Sequence, residues 1–310
     1  LGLIRTSVLF GMMNALVAAM AVWIFRAELR RRLPLGIGLG VCTLILLSAL
    51  LKAEGILGYF ESRLYTGEVI LAHTSAYQRI IVTRNATSIN LFINGALQFS
   101  SSDEYRYHES LVHPVMSLSR RQENVLVLGG GDGLAVREVL KYAKVKHITL
   151  VDLDPVITDL FRHNELLRTL NAGALNDPRV SVINDDAWKF LERTEQRFDV
   201  VIVDLPDPHN LSLSKLFSQS FYTLLAQHLN ADGLIVTQAT SPVFATRAFW
   251  SIANTLAAVP SPYARDKFLQ IHPYHAYVPS FGEWGFVIAA PHLAAWDTIR
   301  LRVPTRFLNA

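Results

Sequence analysis

The chain has 310 residues, a formal net charge of +3 and one cysteine. So small a charge argues against a nucleic-acid binder, and the lone Cys42 rules out a disulfide within the chain and disfavours a Cys-based metal site or thiol nucleophile. Hydrophobic residues make up 51% and mean hydropathy is +0.26, high for a soluble enzyme.

The apolar excess is concentrated at the N-terminus. Thr6–Phe25 runs about 20 residues without a charge, enough to cross a bilayer. Leu35–Leu51 is a second run at the short end of the spanning range, with Gly36, Gly38 and Gly40 at its start. Between them lies a basic loop containing Arg26, Arg30, Arg31 and Arg32. A signal peptide predicts one run and a cleavage site, so the pair points to a multi-pass inner-membrane segment; a buried helical hairpin is the alternative. The chain opens on Leu1, which suggests a fragment with further spans upstream. The arginine loop belongs on the cytoplasmic side, which would deliver whatever follows a full second span to the outer side. A shallow or re-entrant second run, or upstream spans, would reverse that.

Residues 52–65 read as an amphipathic linker. Residues 66–118 read as a small antiparallel β unit and a helix. Glu68–His73, Tyr77–Thr83 and Ser88–Ile93 are expected strands, Asn94-Gly95 is a hairpin turn signal, and Tyr105–Leu118 is an expected helix.

Residues 119–292 alternate between strands and helices. Val125–Leu128 is a continuous apolar run, as a buried parallel strand requires, and it leads into Gly129-Gly130-Gly131-Asp132-Gly133 and a helical pattern. A second strand, His147–Val151, ends at Asp152, the position of an acid that binds a ribose hydroxyl. Further strands are expected at 179–183, 198–204, 233–238, 267–272 and 285–290. Helices are expected at 134–143, 155–170, 186–192, 213–228 and 243–258. The pattern predicts an α/β, doubly wound Rossmann-like sheet that binds its ligand at the C-terminal strand ends, with 293–310 as a tail.

Acids gather at those ends: Asp132, Asp152, Asp154, Asp185, Asp186, Asp204 and Asp207. Carboxylates cost desolvation unless they are paired or meet a cation, so a cationic ligand is implied. Asp132 would repel a phosphate or a ligand carboxylate and attract an ammonium group. Asp204 is placed to take a proton from an attacking amine; capping of the next segment is the alternative.

These segments together resemble the polyamine synthases (spermidine synthase, an aminopropyltransferase). The resemblance rests on Tyr77-Gln78-Arg79-Ile80, Leu91–Gln98, Asp103–Glu109, Gly129–Gly133, Val151–Asp154 and Asp204-Leu-Pro-Asp-Pro208, in that order. The N-terminal runs resemble the bacterial branch with membrane helices before the synthase domain, a class I methyltransferase-like fold. The resemblance implies Asp204 as the proton acceptor, Asp207 as its amine-binding partner and Asp132 at the aminopropyl amine. It implies Gln78 and Asp152 at the nucleoside, Asp186 and Ala187 at the adenine, and Tyr107 and His108 along the amine site. It also implies decarboxylated S-adenosylmethionine as co-substrate, putrescine as acceptor, spermidine and methylthioadenosine as products, and no metal or other cofactor. His108, Glu109 and His113 have poor spacing for a metal.

Two departures bear on the acceptor. Leu205-Pro206 replace the two serines of the family motif, and His209-Asn210-Leu211 replace its Gly-Pro region. Thr237–Pro242 and Tyr274–Gly282 also differ from the soluble enzymes. A methyltransferase on the same fold and a membrane-anchored polyamine-binding protein without turnover remain alternatives. Expected partners are polyamine and nucleoside substrates, a lipid bilayer and a second copy of the chain in a homodimer, with the catalytic domain cytoplasmic and no nucleic acid.

Overall fold

The computed structural model describes residues 3–30, 32–53, 55, 63–208 and 210–309. The linker expected at 52–65 falls largely outside the described residues, as do Arg31 and His209. The chain divides into two compact units, Leu1–Thr74 with Arg79–Ile89, and Ser75–Gln78 with Asn90–Ala310.

In the first unit the two apolar runs are helices, α1 (Leu3–Ile24) and α2 (Arg32–Leu51). A helix satisfies its backbone internally, which suits residues with few polar side chains. Arg5–Ile24 and Leu33–Leu51, 20 and 19 residues, are long and apolar enough to cross a membrane. α2 continues unbroken through Gly36, Gly38 and Gly40. The helices meet where a Cβ on Gly11 would lie 3.0 Å from Leu46 Cδ2. Elsewhere their large side chains face outward, with Leu16 68% and Leu44 71% exposed. Strands β1 (Glu68–Thr74) and β2 (Arg79–Arg84) then form an antiparallel hairpin with an irregularity between Val69 and Leu71.

The sequence pattern begins the second strand at Tyr77, yet β2 starts two residues later. Ser75 Oγ accepts the N–H groups of Tyr77 and Gln78 at 3.0 Å each, and Ser75 N–H donates to the Gln78 carbonyl at 2.9 Å. This local turn takes Gln78 out of the strand.

A second hairpin, β3 (Ile89–Ile93) and β4 (Ala96–Ser100), lies in the second unit from Asn90 on. Asn94 and Gly95 turn it with φ of 50° and 86°, the two left-handed residues such a turn needs. Helix α3 (Glu104–Leu118) follows, then β5 (Asn124–Gly129), α4 (Leu134–Val139), β6 (His147–Asp152), α5 (Pro155–His163), α6 (Glu165–Leu170), β7 (Val180–Asn184), α7 (Ala187–Arg193) and β8 (Phe198–Asp204). The chain continues through α8 (Leu211–Ser214), α9 (Gln219–Gln227), β9 (Leu229–Gln238), α10 (Thr246–Ala257), β10 (Gln270–Val278) and β11 (Gly282–Ala290).

The large sheet runs β10-β11-β9-β8-β5-β6-β7. β5 pairs in parallel with both β6 and β8, whereas β11 is antiparallel to β9 and β10. Strand order reverses between β5 and β8, and ligands of open α/β sheets bind outside the strand ends at such a switch point. Gly129 and Asp204 are register partners there. The sheet's interior strands are fully buried, with Val125, Leu126, Val127, Leu128, Val200, Val201, Ile202 and Val203 all at 0% exposure, which is why they read as unbroken apolar runs.

Other boundaries differ for local reasons. The helix expected at 155–170 is two, because the Asn164 side chain accepts the Leu167 N–H at 3.2 Å and starts a new helix. The helix expected at 213–228 is interrupted at Ser218, whose hydroxyl caps α9 in the same way. The helix expected at 134–143 stops at Val139. The last two strands are longer than the pattern suggests, because pairing across a hairpin extends both arms, from Gln270↔Ala290 to Val278↔Gly282.

At the opposite end of β8 from Asp204, the buried Asp199 ties three segments together. Its carboxylate accepts the Glu123 N–H at 2.9 Å, the Asn124 N–H at 3.0 Å and the Asn230 side-chain N–H at 2.7 Å. Asp199→Ala leaves these donors unsatisfied, so denaturant unfolding of this unit should show a loss of about 3 kcal/mol. Asp199→Asn, which keeps an acceptor oxygen, should lose less.

Candidate active site

The glycine turn after β5 is shaped by what it touches. At Gly129 (φ +78°) a Cβ would lie 2.2 Å from the Asp204 carbonyl oxygen. At Gly131 it would lie 2.6 Å from Asp152 Oδ2. No side chain fits at either point, so the turn closes against the ends of β6 and β8 only because these residues are glycine. The Gly131 N–H donates to Asp152 Oδ2 at 3.0 Å, and the Asp154 N–H donates to Asp152 Oδ1 at 2.9 Å. Asp152 therefore faces the glycine turn, and burial, opposed by those two donors, pushes its carboxyl up to about 6.

Helix α3 brings Tyr107 and His108 to the same rim. Tyr107 Oη donates to Asp204 Oδ1 at 2.7 Å. Burial and the facing charges of Asp204, Asp207 and Asp132 push the Tyr107 phenol well above its ordinary value, so it stays a donor. Burial also raises Asp204, against the pull of His108 and the Tyr107 hydrogen bond. Asp132 is pushed up to about 6 by burial, opposed by the His108 charge and reinforced by Asp204. Its Oδ1 accepts the Leu134 N–H at 2.9 Å, which starts α4. Asp207 accepts from Gln238 Nε2 at 3.2 Å and Thr240 Oγ1 at 3.3 Å.

Among the described residues, His108 is the cation that sits among these acids. His108 Nδ1 lies 2.9 Å from Glu104 Oε2 and 2.8 Å from the Glu104 carbonyl. Burial alone would lower its pKa, but Glu104, then Asp132 and Asp204, raise it to about 9, so the ring is an imidazolium at neutral pH. Arg137 on α4 holds Glu104 by two N–H bonds, at 3.0 Å to Oε1 and 2.9 Å to Oε2. Burial would raise Glu104, yet His108 and Arg137 together keep it below its ordinary value.

Not every acid at the rim awaits a cation. Asp154 caps α5 and accepts the Ser75 hydroxyl at 2.6 Å. Asp185 pairs with Arg193. Asp186 caps α7 beside the buried Ala187 and pairs with Lys215 at 3.0 Å; although burial raises it, Lys215 brings it below its ordinary value. Tyr107, His108, Asp132, Asp204 and Asp207 thus form one electrostatic group, and Asp152 adjoins it across the glycine turn. Asp186 and Ala187 lie at the end of the neighbouring strand, and Gln78 sits in the Ser75 turn that leans on Asp154.

Some participants were not singled out by the pattern of the sequence. Glu104 is one, although it stands at the i, i+4 spacing of a helical pair with His108, a signal that was there to use. Arg137 and the rings of Phe281, Trp284 and Phe286, whose centroids lie 6.2, 6.5 and 5.4 Å from that of Tyr107, depend on long-range packing. Gln238 Nε2 donates to the Leu205 carbonyl at 2.7 Å, which anchors the Leu205-Pro206 segment. Among the described residues no three His, Cys, Asp or Glu side chains converge as metal ligands. His113 instead contacts Glu138 at 2.9 Å and Tyr142 at 3.0 Å.

A family model described as the spermine/spermidine synthase domain matches residues 104–295. The chain is similar to polyamine aminopropyltransferase 2 of Ralstonia nicotianae, 49% identical across 100% of this chain and 60% of that protein. It is 45% identical to the polyamine aminopropyltransferase of Oceanobacillus iheyensis, across 99% of this chain and 59% of that one. The chain therefore spans about 60% of the length of these relatives. Its fold is similar to that of a spermidine synthase solved with the transition-state analogue AdoDATO, with a TM-score of 0.70 at 24% identity over 78% of this chain and 82% of that one. The spermidine synthase of Thermotoga maritima gives a TM-score of 0.69 over 78% and 81%. The family model covers well over half of the chain, and its span holds Tyr107, His108, Asp132, Asp204 and Asp207; this chain belongs to the spermine/spermidine synthase family.

Proposed function

We propose that the chain carries an aminopropyl-transfer site that moves the aminopropyl group of decarboxylated S-adenosylmethionine onto putrescine. The observation that carries this reading is the recessed Asp204, held by Tyr107 among acids suited to bind amines. The acceptor nitrogen attacks the propyl carbon next to the sulfonium. The C–N bond forms as the C–S bond breaks, and the electron pair stays on sulfur, giving methylthioadenosine. Asp204 takes the proton from the acceptor ammonium, which frees the nitrogen lone pair for this attack. Burial makes Asp204 a better base than an exposed carboxylate, while the Tyr107 hydrogen bond fixes the oxygen that does not take the proton. Asp132 and Asp207 bind amine groups. Gln78, Asp152, Asp186 and Ala187 hold the nucleoside. Orientation supplies the rest of the rate, because the sulfonium is already a good leaving group.

The residue ranges fit this assignment as a membrane segment (1–51), a linker (52–65), a β unit with its helix (66–118), a catalytic domain (119–292) and a tail (293–310). We assign α1 and α2 to a lipid bilayer, as part of a multi-pass inner-membrane segment, and put the catalytic domain in the cytoplasm, where the donor nucleoside is made. A homodimer is compatible with this arrangement.

Asp204→Asn keeps an acceptor for Tyr107 but removes the base. Methylthioadenosine formation, followed by mass spectrometry, should fall by about 10²-fold to 10⁴-fold while nucleoside binding survives. Retained turnover would remove Asp204 from the mechanism.

Asp132 gives a test of opposite signs. Its folded-state pKa of about 6 lies above the 3.8 of the free side chain. Its contribution to stability is therefore complete below pH ~4 and is lost as pH rises through ~6. At pH 8, Asp132→Asn relieves that loss and keeps an acceptor oxygen for the Leu134 N–H. The melting midpoint should rise by a few degrees, at roughly 2–4 °C per kcal/mol, while acceptor turnover falls. Calorimetry should also show intact S-adenosylmethionine binding more weakly than its decarboxylated form. The opposite order would favour a methyltransferase.

For sidedness, a fluorescent protein that matures only in the cytoplasm should glow when fused after Ala310, and a periplasm-active phosphatase should stay silent. The reverse pattern would make the arginine loop the better guide.

A further inference from the structure

Glu109 takes no part in the site described above, yet it is fully buried on the helix that carries Tyr107 and His108. Its partners come from the far end of the second unit. Oε1 accepts the Arg306 N–H at 2.6 Å, and Oε2 accepts the N–H groups of Phe307 at 2.8 Å and Leu308 at 3.1 Å. Three successive backbone donors thus close on one carboxylate, as in an anion-binding nest.

Two stacked cations fasten the same segment to the same helical turn. The Arg306 guanidinium lies 4.0 Å from the centroid of the Tyr105 ring, and that of Arg106 lies 4.8 Å from the centroid of Phe307. Lys141 Nζ donates to the Pro304 carbonyl at 3.0 Å. The tail therefore grips residues 105, 106 and 109, which bracket Tyr107 and His108. Other holds on α3 lie elsewhere, at Asp103, which accepts the Ser280 N–H at 2.7 Å, and at the Ser110 carbonyl, which accepts the Tyr274 hydroxyl at 2.8 Å.

A buried carboxylate without donors would be costly, so Glu109 and the tail depend on each other. We infer that residues 304–309 are a strap that seats Tyr107 and His108, with Glu109 as the positioning residue through which it acts. The inference rests on the aminopropyl-transfer reading for its kinetic consequence, though not for its structural one. If the strap loosens, the first turn of α3 gains freedom. The amine-binding side chains then lose their placement relative to Asp204, while the nucleoside contacts on β6 and β7 keep theirs.

The test uses the full chain with two variants. Glu109→Gln weakens the acceptor of the three N–H groups, and the double variant Arg306→Ala/Phe307→Ala removes both stacking clasps without touching the buried carboxylate. In both, the KM for putrescine should rise on the order of 10-fold, the scale expected when binding groups shift by a fraction of an ångström. The calorimetric dissociation constant for methylthioadenosine should change less than about twofold, well under 1 kcal/mol. Hydrogen exchange of the amides of 104–112 should accelerate in both variants. An unchanged putrescine KM in the double variant would overturn the strap, and so would equal losses for amine and nucleoside, which would indicate general loosening. If the unaltered chain forms no methylthioadenosine, the reaction assignment fails, and the exchange measurement decides the strap alone: faster exchange at 104–112 supports it and unchanged exchange overturns it.

Discussion

The architecture depends on a close approach of main chain to main chain at the centre of the sheet. β5 and β8 are register partners up to Gly129 and Asp204, and there is no room for a single methyl group between them. That contact sets the turn over the strand ends and aims the Asp152 carboxylate at the Gly131 N–H. It also brings Asp132 into reach of Asp204. A Cβ at Gly129 would push apart the two strands whose ends carry the site.

Crowding carboxylates around that turn creates an electrostatic problem that the fold solves only in part. At the periphery the solution is complete: Asp154, Asp185 and Asp186 are each met by hydroxyls, backbone donors or cations of the protein itself. At the centre it is partial. Burial raises Asp132, Asp152 and Asp204 above the ordinary value of an aspartate. Among the described residues the cation placed among them is His108, kept charged by Glu104, which Arg137 holds in turn. The remaining deficit of positive charge suits a ligand bearing ammonium groups, which would supply what the protein withholds.

Helix α3 links that centre to the rest of the unit. It presents Tyr107 to Asp204, His108 to Glu104 and Glu109 to the tail within three consecutive residues. Neighbouring positions on a helix point about 100° apart, so one short segment serves the sheet end, its own preceding turn and a distant strand of chain at once. Its N-terminal end is further tied to the loop between β10 and β11 through Asp103 and Ser280.

Much of this was legible in the chain read as a string. Unbroken apolar runs such as Val125–Leu128 mark strands buried on both faces, and the spacing of glycines and acids marks a nucleoside-type turn, because those features arise from local geometry. The two long apolar helices follow from length and composition in the same way. Hydrogen bonds that compete locally, at Ser75, Asn164 and Ser218, shifted the element boundaries, since a single side chain can start or stop a helix or strand. What only the tertiary structure decided is which charges meet. Nothing in the order of residues says that Asp154 is satisfied by Ser75 whereas Asp204 is left to Tyr107, or that Glu109 closes on residues almost two hundred positions later. Burial and pairing are properties of three-dimensional neighbourhoods, so the roster of acids came from the sequence and the division between structural and chemical roles came from the fold.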